Sequence, residues 1–422
     1  MKRQSLALAA ILAMAAATAS AFARDLSLAE AEILLERQNR ELLAARRATE
    51  SAGADIVSAG ARPNPIVSIN SASIDPSRTG PGPLNRKPFD TTLRLDQTIE
   101  RGNKREMRID AAQGLERAAQ ADTLDVLRQQ LLGLRGAYFD LKLAEERLDA
   151  LTENARLFAR TYALAQVREK AGDLASAEVA KVRVDYERAQ NDLRAAEADL
   201  SRVSIALAYL IGIESDAARL RAIDPWPAAR VDPVGVEDAI AQRIDQRPDV
   251  RAGQARVEVA ERQRDLARSQ RTRDVSVGAQ FERFPGSVPT NTVGVGIAFP
   301  LFTGNDFSGD IQRAEVQRYA ALDALAKVRA LAGNEVRRAA ADLAAAQDRL
   351  TRYETSLLEA AQRSADAAEF AFERGATSVL EVLDARRTLR AVKLEALAAR
   401  ADYAKALSAW RASLTSADDL PK

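Results

Sequence analysis

Two kinds of spacing alternate along the chain, and they predict two kinds of element. In four short segments apolar and polar positions exchange at every residue. From Phe89 to Asp96, Phe89, Thr91, Leu93 and Leu95 fall on one face and Asp90, Thr92, Arg94 and Asp96 on the other. Val275, Val277, Ala279 and Phe281 alternate in the same way with Ser276, Gly278, Gln280 and Glu282. Val293, Val295, Ile297 and Phe299 alternate with Thr292, Gly294, Gly296 and Ala298. Ile66 to Ile74 is less regular, because Val67 adjoins Ile66. Runs of about ten residues with this period are what a strand presents when one side meets lipid and the other a lumen. A soluble hairpin with one wet face gives the same pattern. Stretches rich in Pro and Gly, from Asp75 to Pro88 and from Phe284 to Pro289, separate the members of each pair and belong at hairpin ends.

The rest of the pattern is helical. No proline interrupts Lys104 to Lys170 or Asp306 to Trp410. At ~1.5 Å per residue the first run would reach about 100 Å unbroken, far beyond the ~11–12 residues of an average helix. Val382, Ala385, Leu389, Val392, Ala396, Ala399, Tyr403, Ala406 and Trp410 follow a 3-4 spacing. So do Leu127, Leu131, Leu134, Tyr138, Leu141 and Leu148, with Glu145 as one polar intruder. Sustained heptads predict coiled coil, and the charged positions between them read as solvated faces.

The order of elements occurs twice. At an offset of 208, Leu28 matches Val236, Ala31 Ala239, Leu42 Val250, Glu50 Glu258, Val67 Val275 and Ser68 Ser276. At 202, Ile99 matches Leu301, Gly102 Gly304 and Asn103 Asn305. At 203, Gly172 matches Gly375, Glu178 Glu381, Val179 Val382 and Arg183 Arg386. Each half reads helix, strand, loop, strand, long helix, turn, long helix. The predicted division is a signal peptide at 1–23, a first repeat at 24–211, a linker at 212–235 carrying Pro225, Trp226, Pro227 and Pro233, a second repeat at 236–414 and a tail at 415–422.

At the N-terminus Lys2 and Arg3 precede an apolar run from Leu6 to Ala17, and Ala21-Phe22-Ala23 has the small-x-small form of a secretory cleavage site. A membrane anchor is the alternative, but the run is short of the ~20 residues that a spanning helix needs. Cleavage after Ala23 would leave 59 basic against 60 acidic residues, and no cysteine is present to carry a lipid. The later apolar stretch from Val203 to Ile213 is also too short to span, so an exported chain of this kind would cross a membrane by strands.

Composition narrows the chemistry. The 422 residues include no cysteine and no histidine, three methionines and 5% aromatics. That removes thiolate ligands and nucleophiles together with the commonest general base. The formal charge of +1 carries no electrostatic footprint for nucleic acid. No nucleophile–base pair or phosphate loop is evident, so neither an enzyme nor a cofactor is expected.

Two segments carry a resemblance to a known family. Phe372-Glu373-Arg374-Gly375-Ala376-Thr377-Ser378-Val379-Leu380-Glu381-Val382-Leu383-Asp384-Ala385 resembles the signature of TolC-type outer-membrane factors at their second helical turn. Phe299-Pro300-Leu301-Phe302-Thr303-Gly304 resembles their strand-to-helix junction. The family usually has a second glycine there, where this chain has Asn305, and Asn103 in the first half; Asn tolerates the left-handed conformation and caps helices well. Gln97 to Arg105, followed by Arg108, is similar to the junction of the CzcC-like branch, which serves heavy-metal efflux.

The resemblance implies a mainly α chain with transmembrane β: a long antiparallel α-helical coiled-coil barrel, and four β-strands per chain contributing to a trimeric 12-strand outer-membrane β-barrel, built on an internal tandem repeat. The implied protein is a homotrimer in outer-membrane lipid, a passive duct with its tunnel in the periplasm. Its partners would be a periplasmic adaptor (membrane fusion) protein and an inner-membrane RND-type pump, and its cargo heavy-metal cations. Glu381 and Asp384, three apart on one helix face, match the family's acidic rings at the periplasmic gate; a surface pair of Asp384 with Arg386 or Arg387 is the alternative. Arg168, Gly172, Arg374, Gly375 and Ser378 would form adaptor-docking tips, or simply turn chemistry. Gly102, Asn103, Gly304 and Asn305 would form the strand-to-helix turns. A duct for drugs or secreted proteins shares this architecture, whereas a periplasmic coiled-coil adaptor would leave the repeated strands unexplained.

Overall fold

The computed structural model describes residues 24–74, 89–229, 237–284, 288–374 and 376–421. The expected signal peptide, most of the first hairpin loop, residues 285–287 of the second, the end of the linker and Gly375 lie outside the described residues. In chain order the elements are β1 (Arg24–Leu26), α1 (Leu28–Gln38), α2 (Arg40–Gly60), β2 (Ile66–Ala72), β3 (Asp90–Ile99), α3 (Lys104–Ala171), α4 (Ser176–Ile211), β4 (Leu220–Ala222), α5 (Glu237–Asp245), α6 (Pro248–Ser269), β5 (Val275–Phe284), β6 (Thr290–Ala298), α7 (Ser308–Arg352), α8 (Leu358–Glu373) and α9 (Val379–Ser413). A π-helical turn, Tyr353–Leu357, joins α7 to α8. No described helix is long and apolar enough to cross a membrane.

Two compact units divide the chain, Met1–Ala45, Leu124–Arg247 and Leu331–Lys422 in one, Arg46–Thr123 and Pro248–Ala330 in the other. The second unit holds an antiparallel sheet in the order β2-β3-β5-β6. Its central ladder pairs β3 of the first half with β5 of the second, from Thr91 opposite Arg283 to Ile99 opposite Val275. Ile66 lies opposite Asp96 and Val67 opposite Leu95, which explains the irregular start of β2: Ile66 is the residue on the polar side.

The junction leaving β3 is built from backbone freedom and paired cations. Gly102 and Asn103 both have positive φ, 74° and 56°. A Cβ on Gly102 would meet Thr272 at 2.8 Å, so the position excludes larger residues. The Lys104 side chain is buried and its ammonium donates to Thr272 O and Asp274, each at 2.9 Å. Arg108 forks onto Glu100 and holds its carboxyl below the usual range, while Arg105 donates to Gly60 O at 2.7 Å. In the second half the residue before the helix is Phe307, with φ 62°, and Asn305 Oδ1 accepts from Phe307 N–H at 2.9 Å. Helix α7 therefore starts two residues later than the Gly-Asn correspondence suggests, and Phe307 occupies the place that Asn103 takes in the first half.

In the first unit, parallel strands β1 and β4 close over a core of Leu26, Leu35, Leu42, Leu134, Tyr138, Leu207 and Ile211. The fully buried Tyr138 hydroxyl lies 3.0 Å from Leu26 O and from Asp224 Oδ2, and accepts from Asp224 N–H at 3.1 Å. Asp224 in turn takes the Leu28 N–H at the start of α1, at 2.6 Å. Glu145, the polar residue in an apolar heptad, has a comparable use. Its carboxylate accepts the Ala222 N–H at 3.2 Å and so caps β4.

One hydrogen-bond arrangement occurs in both halves. Asn39, buried between α1 and α2, donates to Leu210 O at the end of α4 (3.0 Å) and to Gln130 Oε1 of α3 (3.2 Å). Arg247, buried between α5 and α6, donates to Ser413 O at the end of α9 (2.9 Å) and to Glu335 of α7 (2.8 Å). The corresponding residues are 208, 205 and 203 apart; the first and last of these are offsets of the repeat itself, and the middle one differs from its neighbours by two or three residues. Both clasps satisfy a carbonyl that the last turn of a helix leaves free. The first does so with neutral amides, the second with ions, and Arg128 of α3 joins the second at Ala412 O and Glu335.

Two outcomes follow. Arg247→Ala should lower stability by roughly 1–3 kcal/mol, the cost of stranding the buried Ser413 carbonyl, because Glu335 keeps Arg128 and is 41% exposed. Arg247→Asn with Glu335→Gln, which copies the first clasp, should recover most of it in detergent melting curves. Burial pushes the Glu145 carboxyl up from 4.5 to about 7, against the opposing hydrogen bond from Ala222. Between those values the unfolded chain releases its proton first, so the Glu145 contribution to stability falls as pH rises from 4.5 to 7. Glu145→Gln should remove that slope from the pH dependence of the melting temperature, and an unchanged slope would assign it elsewhere.

Candidate functional site

The residues singled out in the sequence fall at two helix–helix turns in the first unit and on one sheet in the second. At the first turn α3 ends in a Schellman motif: Gly172 has φ 81°, its N–H donates to Glu169 O at 3.0 Å, and Asp173 N–H donates to Arg168 O at 2.9 Å. A Cβ at Gly172 would meet nothing within 4 Å, so it is the backbone conformation that calls for glycine. At the second turn Ala376 N–H donates to Ala371 O at 2.9 Å, the equivalent bond 203 residues on. Arg374 lies over the Phe370 ring at 4.2 Å. Ser378 caps α9, its hydroxyl accepting from Glu381 N–H at 3.4 Å.

That cap fixes the phase of the first turns of α9. Leu383 is buried against Phe158 of α3 and Val182 of α4, which turns Glu381 and Asp384 to the opposite, exposed side. Neither carboxylate makes an ion pair among the described residues. The neighbouring arginines are engaged elsewhere: Arg386 pairs with Glu369 of α8, and Arg387 with Asp185 of α4, whose side chain is only 6% exposed. Arg390 reaches Asp192 at 3.0 Å. The helix is thus tied through its arginines, and its first two acids are left facing outward. Sequence reading had singled out the acids but not the ties, because nothing in the spacing shows that Asp185 and Arg387 meet.

The sheet sorts its residues into two faces. Ile69, Leu93, Phe281 and Val293 form one cross-strand row, and Val67, Leu95, Ala279 and Val295 the next, all on one side. Val293 and Val295 are 79% and 88% exposed, so no described residue covers this part of the apolar face. The other side carries rows of Asn70, Thr92, Glu282 and Thr292, then Ser68, Arg94, Gln280 and Gly294. An apolar face without cover and a hydrogen-bonded polar face define the wall of a membrane barrel. The long, heptad-patterned helices place this chain in the class of outer-membrane proteins that carry a helical domain.

The family model for outer membrane efflux proteins matches twice, over residues 33–213 and 239–416. The chain belongs to this family of outer-membrane channels with a periplasmic helical tunnel, and it is not an enzyme. It is 27% identical over 378 residues to the cobalt-zinc-cadmium resistance protein CzcC of Cupriavidus metallidurans, covering 87% of this chain and 84% of that protein. Among solved structures it is similar to a membrane protein from Pseudomonas aeruginosa (TM-score 0.78, 18% identity, 92% and 93% of the two chains). It is also similar to CusC (TM-score 0.74, 19% identity, 94% and 93%).

The two faces should respond differently to charge. Leu93→Arg or Val295→Arg should block assembly in the outer membrane, at roughly 2–4 kcal/mol per chain near the midplane. A polar substitution of Thr92, on the other face, should leave the heat-modifiable bands of the folded protein on gels. Equal damage at both positions would contradict the assignment of faces.

Proposed function

We propose that three copies of this chain close into one twelve-strand barrel and act as the exit duct of a tripartite heavy-metal efflux system. The observation that carries the assembly is the open sheet. Among the described residues strands β2 and β6 each have one unpaired edge, and a sheet crossing lipid cannot leave backbone donors and acceptors unpaired. Four strands are too few to close around a conduit, and twelve fall within the range of known outer-membrane barrels. The likeness to a cobalt-zinc-cadmium resistance protein over most of both chains supports metal cations as cargo. A passive duct needs an energy source and a connection, supplied in this reading by an inner-membrane RND-type pump and a periplasmic adaptor that docks at the turns of Arg168, Gly172, Arg374, Gly375 and Ser378.

Glu381 and Asp384 are the gate of this reading. They are exposed, free of ion pairs among the described residues, and held on one side of α9 by the Ser378 cap and the buried Leu383. Three copies around a narrow passage would repel anions and concentrate cations. The Glu381→Gln/Asp384→Asn variant should therefore assemble normally, and in planar bilayers lose both cation preference and block by multivalent cations added on the periplasmic side. Unchanged selectivity in an intact trimer would place the gate elsewhere.

A further inference from the structure

The polar face of the sheet contains an ion pair set into a recess of glycines. Arg94 donates from Nε to Asp96 Oδ2 (2.7 Å) and from Nη2 to Asp96 Oδ1 (2.8 Å), so both carboxylate oxygens are occupied by one guanidinium. Its remaining nitrogen, Nη1, reaches Gln280 Oε1 at 3.3 Å. Opposite Asp96 on the neighbouring strand is Gly278, followed on β6 by Gly296. A Cβ at Gly278 would stand 2.2 Å from Asp96 Oδ1 and 3.1 Å from Arg94 Nη2, so the pair lies directly over bare backbone. One at Gly296 would sit 3.7 Å from Arg94, an ordinary contact. Glycine weakens a strand interior and marks a close approach when it occurs there. Here the close approach is that of a side-chain pair lying flat against the wall.

We propose that Arg94 is a selectivity-determining residue of the barrel lumen, which covers Asp96 so that the exit of the duct does not hold cations in transit. This rests on reading the polar face as luminal. In a twelve-strand closure three Asp96 carboxylates would line the lumen, too far apart to share one ion, and left bare they would make its wall negative and concentrate multivalent cations along it. A bidentate guanidinium removes both acceptor oxygens and the charge, and Arg keeps that charge at any pH the cell meets. The recess over Gly278 keeps the pair flush, so neutralising the ring does not narrow the passage. The lumen and the gate thereby take opposite roles: carboxylates exposed where cations are admitted, and covered where they leave.

The test is conduction through intact trimers in planar bilayers, with zinc chloride added on the side away from the helical domain, in the Glu381→Gln/Asp384→Asn background. In that background the periplasmic gate contributes no block, so failure of the gate reading leaves this comparison intact. Arg94→Gln should lower the half-blocking zinc concentration by about tenfold or more, and adding Asp96→Asn should return it to the starting value. Asp96→Asn alone should shift the reversal potential toward anions, because it leaves three guanidinium groups uncovered; this second readout stands if Arg94→Gln fails to assemble. Gly278→Ala should reduce single-channel conductance, and Gly296→Ala should not. Zinc block unchanged by Arg94→Gln, or a half-blocking concentration that stays lowered after Asp96→Asn is added, would overturn the proposal. So would an Asp96→Asn reversal potential equal to that of the parent.

Discussion

Backbone hydrogen bonding is the constraint from which most of this structure follows. Water can satisfy a free N–H or carbonyl at the surface of a soluble protein, but hydrocarbon cannot. As a member of a family of outer-membrane channels, this chain offers lipid a sheet with an exposed apolar face, and a sheet in lipid must be closed. Four strands from two half-repeats are joined in one ladder, with apolar rows on one side and hydrogen-bonded polar rows on the other. In the proposed assembly, the oligomer and its lumen descend from the two edges left over.

The same constraint governs the helices. Each half ends in a long helix, and each half brings back a side chain from the break between its first two helices to satisfy a carbonyl of that helix's last turn. Asn39 with Gln130 and Arg247 with Glu335 perform one task with different chemistry. The duplication has thus preserved a bond rather than a residue. A repeat search based on residue identity passes over such a pair, since Asn39 and Arg247 share neither charge nor size.

Much of the fold was legible in the sequence because it depends on periodicity. The four alternating segments are the four strands of the sheet, and the proline-free runs are the long helices. What remained hidden required knowing which distant residues meet. Glu145 interrupts a heptad because it caps β4, and β4 is a three-residue strand, too short to show a period. In the second half the helix starts two residues later than the match of Asn305 to Asn103 suggests, because the left-handed position belongs to Phe307. At the candidate gate, Glu381 and Asp384 could be found by resemblance, but the ties from Arg386 and Arg387 that orient their helix could not. The lumen pair left a trace in the alternating glycines of β5 and β6, which mark close approach without saying what approaches.

The central ladder also dictates an order of events. Strand β3 is complete early in synthesis, but its partner β5 lies almost 190 residues further along the chain. Until the second half arrives, the hairpin of β2 and β3 exposes an open edge and an apolar face in an aqueous compartment. Pairings so distant in sequence form slowly, and unpaired edges invite aggregation. Closing the central ladder is therefore a late step of folding, and the order of the two halves in the chain sets when the sheet can become continuous.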